Sequence, residues 1–72
     1  MIEVLPLRDS ALLQKLNEKE NTNAVCAYCS YQNEEVDGYI LYSMGQTATI
    51  YAICALDIQT YDCLVRAVLS AA

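Results

Sequence analysis

The chain has 72 residues and a mass of 8.0 kDa, which makes it one domain, 1–72, with a thin core: a polypeptide this short buries only about 60% of its unfolded surface. Its 56% apolar content excludes a disordered segment. A net charge of −5 with no basic cluster argues against nucleic acid and against an anionic membrane as partners, and the lack of histidine removes the usual neutral-pH general base and the commonest metal ligand.

In chain order, Ile2, Val4 and Pro6 alternate with Glu3 and Leu5, which predicts a short first strand. Glu3 and Pro6 interrupt this segment, so it does not read as a signal peptide. Asp9 or Ser10 is placed to cap a helix. Leu12, Leu13 and Leu16 share one face of that helix, and Asn21-Thr22-Asn23 ends it. One short connecting helix favours parallel pairing of the first two strands, whereas a longer path through 21–23 permits antiparallel pairing. The residues leave that choice open.

From residue 24 to 31 the side chains alternate: Val25, Ala27, Cys29 and Tyr31 on one face, Cys26, Tyr28 and Ser30 on the other. A polar hairpin turn at 32–35 leads into a strand over 36–44, with Tyr39 and Leu41 opposite Ile40 and Tyr42. A second turn at 43–46 contains Gly45, which is able to take a positive φ. Residues 47–56 form the most apolar strand, on both faces, which predicts a place inside the sheet or in an interface. From Thr60 the period changes, and Tyr61, Leu64, Val65, Val68 and Leu69 mark one stripe of a terminal helix. The expected fold is α+β: a largely antiparallel four-stranded sheet with two helices, β-α-β-β-β-α.

Four groups of residues could carry chemistry. Cys26 and Cys29 have C-x-x-C spacing, with Cys54 and Cys63 further on. An offset of three in a strand sends two thiols to opposite faces, so buried free cysteines are expected rather than zinc ligands or a redox pair, and no metal site is expected. Glu34, Glu35 and Asp37 form an acidic turn, read as solvated rather than as a cation site. The six tyrosines (Tyr28, Tyr31, Tyr39, Tyr42, Tyr51, Tyr61) read as core and rim packing rather than a pocket. Gly38 and Gly45 are the only glycines, so no phosphate-binding glycine loop exists. The longest weakly polar run, 47–56, is about half of what spans a bilayer. A soluble cytoplasmic protein with reduced cysteines is expected.

Ten of the thirteen charged residues lie in 1–37; beyond them only Asp57, Asp62 and Arg66 remain. So uncharged a second half predicts a homo-oligomer, a two-fold dimer formed through 47–72.

Three stretches give the chain a family likeness. Val36-Asp-Gly-Tyr-Ile-Leu-Tyr42, Thr49-Ile-Tyr-Ala-Ile-Cys-Ala-Leu-Asp57 and Cys63-Leu-Val-Arg-Ala-Val-Leu-Ser-Ala-Ala72 stand in the order of the third strand, fourth strand and following helix of the Gcn5-related N-acetyltransferases. The chain resembles the N-terminal half of that domain, a truncated acyl-CoA N-acyltransferase. The resemblance implies acetyl-CoA as cofactor, with a pantetheine arm pairing to the backbone of Cys54, Ala55 and Leu56. It also implies a glycine-rich motif between the fourth strand and its helix, whose N–H groups hold the pyrophosphate. This chain has Asp57-Ile-Gln-Thr-Tyr-Asp62 there, with no glycine and with an acidic residue beside any bound phosphate. The region that often supplies a tyrosine general acid is also missing, and no catalytic residue can be named. The expectation is therefore a degenerate, non-catalytic oligomerising or ligand-binding module without cofactor. The alternative is an acyl-CoA-dependent enzyme assembled from two copies; a zinc-binding domain ranks last.

Overall fold

A computed structural model describes residues 3–71. They form β1 (Glu3–Pro6), α1 (Ser10–Glu20), β2 (Cys26–Gln32), β3 (Glu35–Met44), β4 (Ala48–Cys54) and α2 (Ile58–Ala71). The strands make one sheet in the order β1-β2-β3-β4, antiparallel throughout. This is the α+β arrangement expected from the pattern, and it settles the first strand as antiparallel to the second.

The helices cover opposite faces. Leu13 and Leu16 of α1 pack on Ala24, Ala27, Cys29, Tyr39 and Leu41, while Leu64 and Val68 of α2 pack with Ile40 and Tyr42. Ile40 and Leu41 are adjacent in β3, point to opposite faces and are both fully buried, as are Cys29 and Ser30 in β2, so the two inner strands are covered on both faces. The sequence reading placed 47–56 inside the sheet or in an interface, and the first of these does not hold. Instead β4 is the outer strand, paired only with β3, because the hairpin sets it beside β3 and the chain then leaves the sheet into α2. An apolar run alone cannot distinguish a central strand from an apolar edge.

The caps follow local chemistry. Asp9 Oδ1 accepts from the Ala11 and Leu12 N–H groups at 3.0 and 3.3 Å and opens α1. Asn21, at φ 56°, closes it by donating its N–H toward the Asn17 and Glu18 carbonyls. The Asn17 side chain then ties the helix end to the sheet: its Nδ2 donates to the Ala24 carbonyl at 3.0 Å, and its Oδ1 accepts from the Ala24 N–H at 2.9 Å. Thr22 Oγ1 donates to the same Oδ1 at 2.7 Å.

Gly45 does not use the positive φ open to it: no glycine lies in that region, and the turn is held by the Gly45 N–H on the Thr47 carbonyl. Besides Asn21, the left-handed residues are Asn33 and Glu34, at φ 54° and 67°, the two-residue loop joining β2 to β3. Positive φ at both loop residues matches the twist of a hairpin and favours Asn-Gly, so glutamate at the second position carries strain. Glu34→Gly should therefore raise stability by about 0.5–1 kcal/mol despite the flexibility it adds to the unfolded chain. Urea denaturation with an unchanged m-value would measure it, and a lower midpoint would refute the strain argument.

Candidate functional site

The residues that the family likeness singled out meet where β3, β4 and α2 converge. Gly38 in β3 pairs with Ser30 of β2 and lies on the α2 side of the sheet. A Cβ at Gly38 would stand 2.7 Å from Ser30 Oγ, 2.8 Å from the Cys54 carbonyl oxygen and 3.2 Å from Thr60 Cγ2. The missing side chain lets the first turn of α2 rest on the sheet. Ser30 and Thr60 are buried polar residues at this contact. Ser30 Oγ donates to Asp37 Oδ1 at 2.6 Å. Asp37 is the extra residue of a β-bulge, with Ser30 opposite Gly38 and Tyr31 opposite Val36. Nothing in the strand alternation signals that bulge.

The segment expected to be a connection before the last helix is already helical. α2 begins at Ile58 rather than Thr60, because Asp57 caps it. Asp57 Oδ1 accepts the Thr60 N–H at 2.8 Å, and the Tyr61 N–H donates to the Asp57 carbonyl at 3.0 Å. The Thr60 backbone bond, then the Thr60 hydroxyl, and lastly the Gln59 N–H hold the Asp57 carboxyl below its ordinary pKa. The donors that a pyrophosphate would need at a helix N-terminus thus face a carboxylate of the chain itself. The adjoining groove, lined by Gln32, Asn33, Glu35, Val36, Asp37 and Leu56, adds two acidic residues and no cation. This corner does not fit a coenzyme A pyrophosphate.

A pH prediction follows. A carboxylate whose folded pKa is depressed stabilises the native state above its unfolded pKa, and the benefit disappears as pH falls through the folded value. Asp57→Ala should therefore lower the melting temperature at neutral pH, with the difference from wild type closing below the ordinary carboxylate range. A pH-independent difference would mean that Asp57 acts other than through its charge.

The other candidate residues separate. Cys54 ends β4 and is exposed, Ala55 is half-buried against the α2-side core, and Leu56 is 76% exposed. Cys26 joins the α2-side core and Cys29 the α1-side core, so the two thiols do not converge. All four cysteines are free, and no cluster of three metal-ligating residues forms among the described residues. Burial pushes the Cys29 thiol pKa up, against the opposing Tyr31 hydrogen bond, which leaves it an unreactive core group. Glu34 and Glu35 are exposed at the hairpin, while Asp37 is occupied by Ser30.

The tyrosines divide between core and surface. Tyr28 and Tyr42 stack with centroids 5.6 Å apart and planes 11° off parallel, and burial followed by the Tyr28 and Cys26 neighbours pushes the Tyr42 hydroxyl pKa up to about 12. Tyr39 donates its hydroxyl to Glu20 Oε1 at 2.5 Å, with Lys19 Nζ 5.7 Å from its ring centroid. Burial and then Glu20 raise its pKa further, so it remains a neutral donor holding the end of α1. Tyr51 and Tyr61 are exposed.

The largest unexplained feature is apolar surface. Ten large hydrophobic residues are exposed among those described, and seven fall from Met44 onward: Met44, Ile50, Tyr51, Leu56, Ile58, Tyr61 and Leu69. Among the described residues no helix is long and apolar enough to cross a membrane. The chain matches no protein-family model, no curated protein and no solved structure.

Proposed function

We propose that this protein is a non-catalytic self-associating module, a degenerate relative of the Gcn5-related acetyltransferases that kept the scaffold without the cofactor site. The observation that carries this reading is that seven of the ten exposed large hydrophobics lie in the chain from Met44 onward, where only Asp57, Asp62 and Arg66 are charged. Asp62 and Arg66 are paired with each other at 2.8 Å. Apolar surface of this extent on a small acidic chain is the mark of an interface, and a homodimer is its simplest closed form. Sedimentation at micromolar concentration tests it. A species of two chains is expected, and an 8.0 kDa monomer alone overturns the reading.

The second reading is an acyl-CoA-dependent N-acetyltransferase assembled as a homodimer. What favours it is the unpaired outer edge of β4, which runs up to Cys54 and could offer main-chain groups to a pantetheine arm at Cys54, Ala55 and Leu56. Against it stands Asp57 at the helix N-terminus. Thermal melting with acetyl-CoA separates the two readings. A ligand at 100 times its dissociation constant adds about 2.7 kcal/mol; no shift is expected, and a clear rise would favour the enzyme.

A further inference from the structure

We infer that the partner is a second copy of this chain, joined by antiparallel pairing of β4 with its counterpart about a two-fold axis normal to the sheet, so that the two α2 helices lie side by side over the seam. This rests on the self-association reading and specifies its geometry.

The two sheet edges differ in the features that discourage pairing. β1 has four residues and carries Glu3 and Pro6, both edge-blocking types. β4 has seven, Ala-Thr-Ile-Tyr-Ala-Ile-Cys, with no charge, proline or glycine. An exposed strand of that kind is a template for another strand, and the same strand inverted is its simplest complement. Charge selects the same edge: each copy carries −5, with ten of thirteen charges in 1–37, so two copies meet with least repulsion through 47–56, which has none.

The helix flank fixes the axis. At about 100° per residue, Ile58, Tyr61, Val65 and Leu69 project to one side of the buried line Thr60, Leu64 and Val68. The Leu7 N–H bonds to the Ala27 carbonyl, which directs the backbone groups of Ala27 toward β1. With L-residue chirality, that places β4 on the side to which this flank turns. Ile58 is 87%, Tyr61 51% and Leu69 64% exposed. A β-bulge adds to the seam. Leu41 faces Ala52 but Tyr42 faces Ile50, so Tyr51 is the extra residue in β4, and Ile50 and Ile53 both fall on the α2 face. The bulge shortens the pairable edge to an arm on either side of Tyr51, and the helix flanks supply the rest of the contact.

Antiparallel pairing about an axis normal to the sheet keeps both α2 helices on the same face and closes flank against flank. A parallel seam would put them on opposite faces and leave both flanks wet. A standard interface takes about 800 Å² from each partner, about a sixth of this chain's 4986 Å² of accessible surface.

Hydrogen exchange and sedimentation of the full chain test the geometry, using wild type and the doubly substituted I58E/L69E. Both positions are exposed, so the monomer should keep its fold, as circular dichroism would verify. In wild type, outward-pointing β4 amides should exchange more slowly as concentration rises, and I58E/L69E should weaken the dimer by about tenfold or more. A dimer whose β4 amides exchange equally fast at all concentrations, or one that I58E/L69E leaves intact, overturns this geometry while the self-association reading stands. A monomer at every concentration overturns both.

Discussion

Leu64→Ala should cost about 3–4 kcal/mol and lower the melting temperature by more than about 10 °C. Leu64 is fully buried and touches both the sheet and its own helix through the cluster with Ile40, Tyr42 and Val68. Truncating a buried leucine removes transfer free energy and leaves a cavity, together about 2–5 kcal/mol. The upper half of that range applies here because the surroundings are held in place: Tyr42 is stacked on Tyr28, and β3 is bonded on both sides. A domain of this length has a total stability of only about 4–11 kcal/mol, and its melting temperature falls by roughly 4–8 °C per kcal/mol. The α1-side layer offers a contrast, since no residue of α1 is buried; Leu16→Ala should cost clearly less. Denaturation of both variants at one matched protein concentration gives the comparison, because self-association would make stability concentration-dependent. Equal losses would mean that the two layers contribute equally and that α2 is not the main clamp on the sheet.

The parts of this fold that were readable from sequence are those set by short-range periodicity. The alternation in 24–31 correctly placed Ala27 and Cys29 opposite Cys26 and Tyr28, because a strand allows no other arrangement. Tyr39 and Leu41 against Ile40 and Tyr42 followed for the same reason. A cap at Asp9 or Ser10 was readable from their position before the leucine stripe, and Asp9 is the one that serves. What could not be read depends on contacts between elements. The edge position of β4 is a consequence of chain order in the sheet. The two bulges, at Asp37 and Tyr51, shift the register by one residue; Gly38 adjoins the first, but no glycine marks the second. The left-handed Glu34 sits where glycine would have advertised the turn, and Gly45, which did advertise one, has an ordinary φ.

The candidate site was legible mainly by what it lacks. The absent glycine motif before α2 was visible in 57–62, but the reason anion binding is disfavoured is more specific: Asp57 already accepts the N–H groups that open the helix. The likeness of Val36-Asp-Gly-Tyr39 to an acetyltransferase strand drew attention to Gly38 without saying what the glycine does. Its role is steric: a backbone carbonyl of β4 and a side chain of α2 both approach the space that a Cβ would take.

Gly38 and Gly45 therefore provide a paired test in which one substitution acts with opposite sign. Neither glycine has a positive φ, so alanine fits the backbone at both, and in each case it restricts the unfolded chain, which by itself stabilises by about 0.4–1 kcal/mol. Gly45 has nothing within 4 Å of an added Cβ, so Gly45→Ala should be neutral to stabilising. At Gly38 the new methyl would meet the Cys54 carbonyl oxygen at 2.8 Å and Ser30 Oγ at 2.7 Å. The serine hydroxyl cannot swing clear without abandoning Asp37, to which it donates at 2.6 Å, and the Cys54 carbonyl belongs to a strand paired with Tyr39. Relief must come from displacing β4 or lifting the first turn of α2. Overpacking of this kind costs about 1–3 kcal/mol, and a net loss of about 2 kcal/mol is expected after the unfolded-state gain. Gly38→Val should be worse, since its two extra methyls need room around a Cβ that already has Thr60 Cγ2 at 3.2 Å. Melting temperatures of the three variants decide the matter. If Gly38→Ala melts no lower than Gly45→Ala, then α2 does not rest on the sheet through Gly38, and the close packing of helix, β3 and β4 at this corner is wrong.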